Sequence, residues 1–148
     1  ANIDRIVRSS TKPCLVTPQT FAPIERLLVA YDGSPTGKRI LNFLVDNADG
    51  FKDIEIHLLT VAKSDSDTER SEQLAKAKDK LQQSVGHTLI ASLSTGDPEQ
   101  VIANYVEQHQ ISLLVMGAYG HRRIRHLVIG STTVQLLRST QIPMLLFR

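Results

Sequence analysis

A glycine-rich, basic segment near the end of the chain has the residue types that anion binding requires. Residues 117–133 read GAYGHRRIRHLVIGSTT. Glycine lets a ligand approach the backbone closely, and the free N–H groups at the start of a helix suit phosphate, as do serine and threonine hydroxyls. The segment therefore predicts a phosphate-binding loop. Its candidate contacts are Gly117, Gly120, Gly130, Ser131 and Thr132.

The same segment has a second interpretation, as a surface loop whose glycines form turns. Its cationic and imidazole side chains either steer phosphate towards the loop or form a solvated basic face. The sequence leaves both interpretations open for them. These side chains are His121, Arg122, Arg123, Arg125 and His126.

A second glycine pair superficially resembles a P-loop. Gly33 and Gly37 are followed by Lys38, but only three residues separate the glycines. A P-loop has four, and it places serine or threonine after the lysine to hold magnesium, where this chain has Arg39. The P-loop interpretation is rejected.

The composition excludes several other classes of function. The chain has 148 residues, a net charge of +2 and no tryptophan, which fits one domain with a core and disfavours a nucleic-acid partner. No apolar run approaches the roughly 20 residues that span a bilayer, so no membrane partner is expected. Cys14 is the only cysteine, which fits a reducing compartment, and we expect a cytoplasmic protein.

Strands and helices alternate from residue 26 onwards. Predicted strands at 26–31, 54–62, 88–94, 111–117 and 143–147 alternate with helices that start at Ser34, after the charged loop 64–73, at Asp97 and near Ser131. This alternation predicts a parallel sheet with helices on both faces. Ligands of such sheets bind beyond the carboxyl ends of the strands, where the glycine loop begins.

A short repeat indicates a duplicated unit. Residues 7–16 read VRSSTKPCLV and residues 137–146 read LRSTQIPMLL, each with proline five residues after arginine. The chain also begins with alanine. We therefore predict that residues 1–18 are the tail of a preceding domain, residues 19–25 a linker, and residues 26–148 the complete domain.

The spacing Gly117-x2-Gly120-x9-Gly130-Ser131 resembles the nucleotide-binding signature of the universal stress protein family. LLVAYDGS at 27–34 and the stretches 96–120 and 130–147 are also similar to that family. The resemblance implies a five-stranded parallel sheet of order 3-2-1-4-5 and binding of ATP, or of ADP or AMP, with Mg²⁺. It also implies the second half of a tandem member, because residues 1–18 resemble the end of another such domain.

The resemblance further implies roles for individual residues. Ala30 and Tyr31 would lie beside Asp32, whose carboxylate would face the nucleotide or its metal. Val61 would contact adenine, and Met116 and Gly117 would line the base and ribose. Gly120, Gly130, Ser131 and Thr132 would hold the phosphates. No catalytic residue is predicted, since the sequence shows no recognisable Ser-His-Asp or paired-carboxylate site.

Simpler interpretations stay open for some of these positions. Asp32 also fits a turn before a capped helix, and Val61 and Met116 also fit the ends of buried strands. We interpret His57 as a structural histidine, since no partner stands at metal-ligand spacing in the sequence. Cys14 is interpreted as a small core residue.

Three functions are compatible with these patterns. The first is an ATP-binding stress-response module that senses or regulates through an unidentified protein partner. The second is a slow ATP hydrolase, and the third is a protein-interaction domain with a vestigial pocket.

The resemblance also implies a partner for the last strand. In this family that strand commonly pairs with another last strand, so we expect a homodimer or pairing with a preceding domain. Cys14–Thr17 is the expected strand partner within this chain.

Overall fold

The structure, a computed structural model, describes residues 5–6, 10–86, 89–118 and 131–148. Within these residues, six strands form one sheet in the order β1-β6-β5-β2-β3-β4. All neighbouring strands are parallel except β1, which runs antiparallel to β6. The strands are β1 (Cys14–Val16), β2 (Arg26–Ala30), β3 (Glu55–Ala62), β4 (Leu89–Thr95), β5 (Leu113–Gly117) and β6 (Met144–Phe147).

The predicted parallel order is confirmed, and one strand is added to it. Strands β2 to β6, numbered from one to five within the predicted domain, follow the expected order 3-2-1-4-5. The added strand is β1, which pairs Cys14 with Leu146 and Val16 with Met144. The sheet therefore has six strands rather than five, because an extended segment ahead of the domain covers the otherwise unpaired edge of β6.

In the part of the chain that the structure describes, four helices and a short 3-10 helix connect the strands. They are α1 (Pro35–Asp46), the 3-10 helix Ala48–Phe51, α2 (Thr68–Val85), α3 (Pro98–Gln108) and α4 (Ser131–Ser139). The sequence-based caps are confirmed: the Ser34 hydroxyl accepts from the Gly37 N–H at 3.1 Å, and the Asp97 carboxylate accepts from the Gln100 N–H at 3.1 Å. Such caps satisfy N–H groups that the helix itself leaves unpaired.

The charged stretch 64–73 differs from its prediction as a loop. Helix α2 begins at Thr68, because the Asp67 carboxylate accepts from the Arg70 N–H at 3.1 Å and so caps the helix early. The charged residues of 68–73 form the first turns of α2. Charge alone is therefore a poor sign of a loop when a cap precedes it.

Helices cover both faces of the sheet, which explains why its strands are so apolar. On one face, α1 and α2 pack on Leu27, Val29, Ile56, Leu58 and Val115. On the other, α3 and α4 pack on Leu28, Leu59, Leu114, Met116 and Leu146. None of the described helices is both long enough and apolar enough to cross a membrane.

Candidate functional site at the carboxyl ends of the strands

The order of the strands reverses between β2 and β5. Strand β2 pairs with β3 on one side and with β5 on the other, and all three run parallel. The connections from β2 and from β5 therefore leave the same edge of the sheet towards opposite faces, which opens a crevice between the two strand ends. We call this region the switch-point edge: the ends of β2, β3 and β5 and the start of α4.

Most of the sequence-predicted contacts lie at the switch-point edge. Ala30 is the last residue of β2, Val61 the next to last of β3, and Gly117 the last of β5. These three are half-buried, so part of each faces solvent at the edge, whereas Met116 is only 7% exposed. The edge thus offers small and apolar surfaces on adjacent strands.

Tyr31 continues the edge beyond β2 and is fixed to β3. Its N–H donates to the Leu59 carbonyl at 2.9 Å, and its carbonyl accepts from the buried Thr60 hydroxyl at 2.9 Å. The ring is buried. Burial raises the pKa of the Tyr31 phenol above its ordinary value, and the neighbouring charge of Asp32 raises it further.

The half-buried Asp32 shapes the turn between β2 and α1, as its simpler interpretation predicted. One carboxylate oxygen accepts from the Ser34 N–H at 2.9 Å. Gly37 leaves room beside it, because a Cβ there would lie 3.2 Å from that oxygen and 3.1 Å from the Tyr31 ring. The carboxylate is therefore held at the edge in one orientation, which is compatible with both the turn and a contact with a ligand.

Helix α4 begins at the same edge. Ser131 and Thr132 are its first two residues, where N–H groups lack partners within the helix. Gly120 and Gly130 lie outside the described residues, as do the histidines and arginines at 121–126. The role of those glycines and basic side chains stays a prediction.

Thr133 was missed by the sequence analysis. It is 2% exposed, and its hydroxyl lies 3.3 Å from the carbonyl oxygens of both Gly117 and Ala118. The spacing of Thr133, Leu136 and Leu137 was the available signal, because residues at i, i+3 and i+4 share one helix face. Its position on the buried face identifies Thr133 as a link between α4 and β5.

His57 lies away from the switch-point edge and has structural partners. Its Nδ1 lies 2.5 Å from the Tyr105 hydroxyl and its Nε2 lies 2.6 Å from a Glu55 carboxylate oxygen. The side chain is almost fully buried, so these bonds support its interpretation as a structural histidine. Glu55 was overlooked, although residues two apart on a strand share a face.

Cys14 differs from its interpretation as a core residue. It is half-buried in the edge strand β1, where it packs against the cluster beneath α3 and α4. The short strand leaves one side of the residue uncovered. Its burial is therefore partial.

The chain is similar to proteins of one known family. The model described as "Universal stress protein family" matches residues 23–148. A curated relative, Universal stress protein Slr1230 of Synechocystis sp. (strain ATCC 27184 / PCC 6803 / Kazusa), is 47% identical over 148 residues. That match covers 100% of this chain and 51% of the relative, so the chain spans about half of the relative's length.

Two crystal structures resemble the fold. A universal stress protein from Archaeoglobus fulgidus DSM 4304 has a TM-score of 0.74 at 20% identity, covering 97% of this chain and 52% of that one. A universal stress protein family protein from Arabidopsis thaliana, solved with AMP bound, has a TM-score of 0.61 at 20% identity, covering 82% of this chain and 90% of that one. At these identities, the likeness concerns the fold.

Proposed function

Because the chain belongs to the universal stress protein family, we propose that its switch-point edge binds an adenine nucleotide. ATP is the favoured ligand, with ADP and AMP as related ones. The observation that carries this proposal is the meeting of three parallel strand ends and a helix start where the strand order reverses. The AMP bound to the Arabidopsis protein of similar fold supports an adenine ligand.

The proposed contacts divide between the base and the phosphates. Val61 contacts adenine, while Met116 and Gly117 line the base and ribose beside Ala30 and Tyr31. Their small or apolar surfaces at adjacent strand ends support this assignment. The phosphates contact Gly120, Gly130, Ser131 and Thr132.

The free energies involved require contacts with both the base and the phosphates. An interaction with one helix terminus contributes about 0.3–1 kcal/mol, or about 2 kcal/mol when partly buried. Micromolar affinity corresponds to about 8 kcal/mol. Most of the affinity must therefore come from burial of the base and ribose and from the loop contacts around the phosphates.

We assign Asp32 an indirect role in holding Mg²⁺. Its carboxylate is the type of ligand that Mg²⁺ prefers, and Mg²⁺ usually keeps several waters and phosphate oxygens. Among the residues that the structure describes, no three His, Cys, Asp or Glu side chains cluster as metal ligands. The nucleotide phosphates and water would therefore supply most of the ligands of the ion.

We propose that nucleotide binding regulates a protein partner in a stress response, in the cytoplasm. Ordering of the loop at 117–130 by ATP would alter the surface beside α4. A slow ATP hydrolase is the enzymatic alternative, and phosphate release no faster than that of Asp32→Ala would exclude it. A vestigial pocket is the third possibility, and it predicts no binding.

We propose that residues 1–18 end a preceding domain of the same kind, joined by the linker 19–25 to the domain 26–148. The ten-residue repeat and a relative about twice as long support this division. The antiparallel pairing of β1 with β6 also supports it. Leu15 and Phe21 are 55% and 92% exposed, and a second such domain would cover apolar surface of this kind.

Calorimetric titration with Mg-ATP tests the nucleotide site. The chain is first shown to be free of copurified nucleotide. We expect binding by the parent chain and none by a folded Gly130→Val variant, because the branched side chain would obstruct the approach of phosphate. Gly50→Val is the matched control, since a Cβ at Gly50 meets nothing within 4 Å.

The outcomes separate the candidate functions. Equal binding by Gly130→Val and the parent would remove the loop from the site, and retained binding by Gly50→Val would show that a glycine-to-valine change is harmless elsewhere. A well-folded parent chain that binds no adenine nucleotide would contradict the proposal and favour the interaction domain.

A further inference from the structure

We propose that Thr133 is a positioning residue of the nucleotide site: its side chain fixes the start of α4 against the end of β5. This inference rests on the proposed nucleotide-binding function and extends it to a residue outside the glycine–serine signature. The hydroxyl lies 3.3 Å from the Gly117 carbonyl oxygen and 3.3 Å from the Ala118 carbonyl oxygen. A hydroxyl has one proton, so the two carbonyls share a single donor.

The peptide group between Gly117 and Ala118 is held from both sides. Its carbonyl oxygen, on Gly117, accepts from Thr133, and its N–H, on Ala118, donates to the Phe147 carbonyl at 2.8 Å. Because a peptide group is planar, two opposed hydrogen bonds fix its orientation. The direction in which the chain leaves β5 is thereby set.

The same hydroxyl fixes the first turn of α4. Thr133 is the third residue of that helix, and the first N–H groups of a helix have no partner within it. These are the groups that suit phosphate. A side chain that attaches this turn to β5 therefore sets where the N–H groups lie relative to Gly117.

Burial prevents water from readily replacing the hydrogen bonds of the Thr133 hydroxyl. Thr133 is 2% exposed and Ala118 is 0% exposed, so water cannot easily take over the hydroxyl's role. Loss of the donor would leave two carbonyls competing for other partners, and the ends of the segment 118–131 would be free to shift. A loss of alignment on both sides of a phosphate contact lowers affinity even when the fold persists.

Three variants separate positioning from stability. Thr133→Val keeps the shape and removes the hydroxyl, whereas Thr133→Ser keeps the hydroxyl. Leu136→Val is the control for a destabilised α4, because Leu136 is fully buried in the same helix without contacting the carbonyls by hydrogen bonds. Binding of Mg-ATP is measured by calorimetry well below the melting temperature of every variant.

We expect Thr133→Val to weaken Mg-ATP binding by about tenfold, the size expected when buried polar groups lose a partner. Thr133→Ser and Leu136→Val should bind within about twofold of the parent, since both keep a hydroxyl at position 133. Unchanged binding by Thr133→Val, or an equal loss in Leu136→Val at the same melting temperature, would overturn the proposal.

Hydrogen exchange of the Ala118 amide gives a second readout that needs no nucleotide. If Thr133 holds the peptide group, exchange at Ala118 accelerates in Thr133→Val and not in Thr133→Ser. Unchanged exchange in Thr133→Val would overturn the link itself. Faster exchange combined with a parent chain that binds no adenine nucleotide would leave the link standing and reject the proposed function instead.

Discussion

At the scale of single residues, the buried polar side chains of His57, Thr60 and Thr133 have hydrogen-bond partners within the described part of the chain, and Tyr105 supplies one of them. Its hydroxyl lies 2.5 Å from His57 Nδ1, and its ring stacks on His109 with centroids 4.0 Å apart. In the tautomer with the proton on Nε2, that proton is donated to Glu55 and Nδ1 accepts from the Tyr105 O–H. Helix α3 is thus joined to β3 by a directional bond as well as by apolar packing.

Replacing Tyr105 by phenylalanine should lower the free energy of unfolding at pH 7 by about 1–3 kcal/mol, because His57 Nδ1 loses its partner in a buried place. Urea denaturation measures the change. The double variant with His57→Leu should lose less than the sum of the single variants. An additive result would show that the two side chains are not coupled.

The stability of Tyr105→Phe should fall less at alkaline pH than the stability of the parent chain. Burial raises the pKa of Tyr105, with a further increase from the Glu55 charge and an opposing decrease from a hydrogen bond with Ser92. Below its ordinary pKa of 10.0, the phenol is neutral in both the folded and the unfolded chain. Above that pKa, the unfolded chain loses the proton first, so the free energy of unfolding falls. Tyr105→Phe should therefore lose less stability than the parent chain as the pH rises above about 10.

At the scale of elements, the turn from β2 to α1 depends on close packing by α2. Gly33 has a φ of +75°, and a Cβ there would lie 2.6 Å from the Gln73 side-chain carbon Cδ. Gly86, which ends α2, has a φ of +69° with nothing within 4 Å of a Cβ. The two glycines therefore share a backbone conformation but differ in their surroundings.

Alanine at these two glycines should separate conformational strain from crowding. Gly86→Ala should lower the free energy of unfolding by about 1 kcal/mol, the cost of the left-handed conformation alone. Gly33→Ala should cost more, because the Gln73 side chain must also move. Gly33→Ala combined with Gln73→Ala should return to the cost of Gly86→Ala, measured by urea denaturation. Equal costs for the two single variants would show that Gln73 moves away freely.

At the scale of the whole molecule, β1 occupies the edge of β6 that no other described strand covers. Its three residues pair antiparallel with β6 within the same chain. An unpaired strand edge is a template for association. We therefore expect residues 10–18 to limit self-association through β6.

Deletion of residues 1–18 should make the chain dimerise through β6. The expected change is a rise in the association constant of about tenfold or more, equivalent to 1.4 kcal/mol, because the uncovered N–H and C=O groups of β6 can pair with a second copy. Analytical ultracentrifugation measures it. Deletion of residues 1–9, which keeps β1, is the control, and dimers of equal strength in both deletions would contradict the role of β1.

The sequence by itself determined most of the elements and, from their alternation, a parallel sheet, because caps, glycines and apolar runs act over a few neighbouring residues. The strand order, and with it the switch-point edge, was implied only by the resemblance to the universal stress protein family. The predicted ligand contacts, Gly120 and Gly130 among them, stay predictions. The tertiary structure decided what depends on residues far apart in the chain: the antiparallel register in which the expected partner strand pairs with β6, Cys14 opposite Leu146, and the contact of Thr133 with Gly117. Such contacts form only when packing brings distant segments together, so a local pattern indicates which residues are buried or extended but not the atoms that they contact.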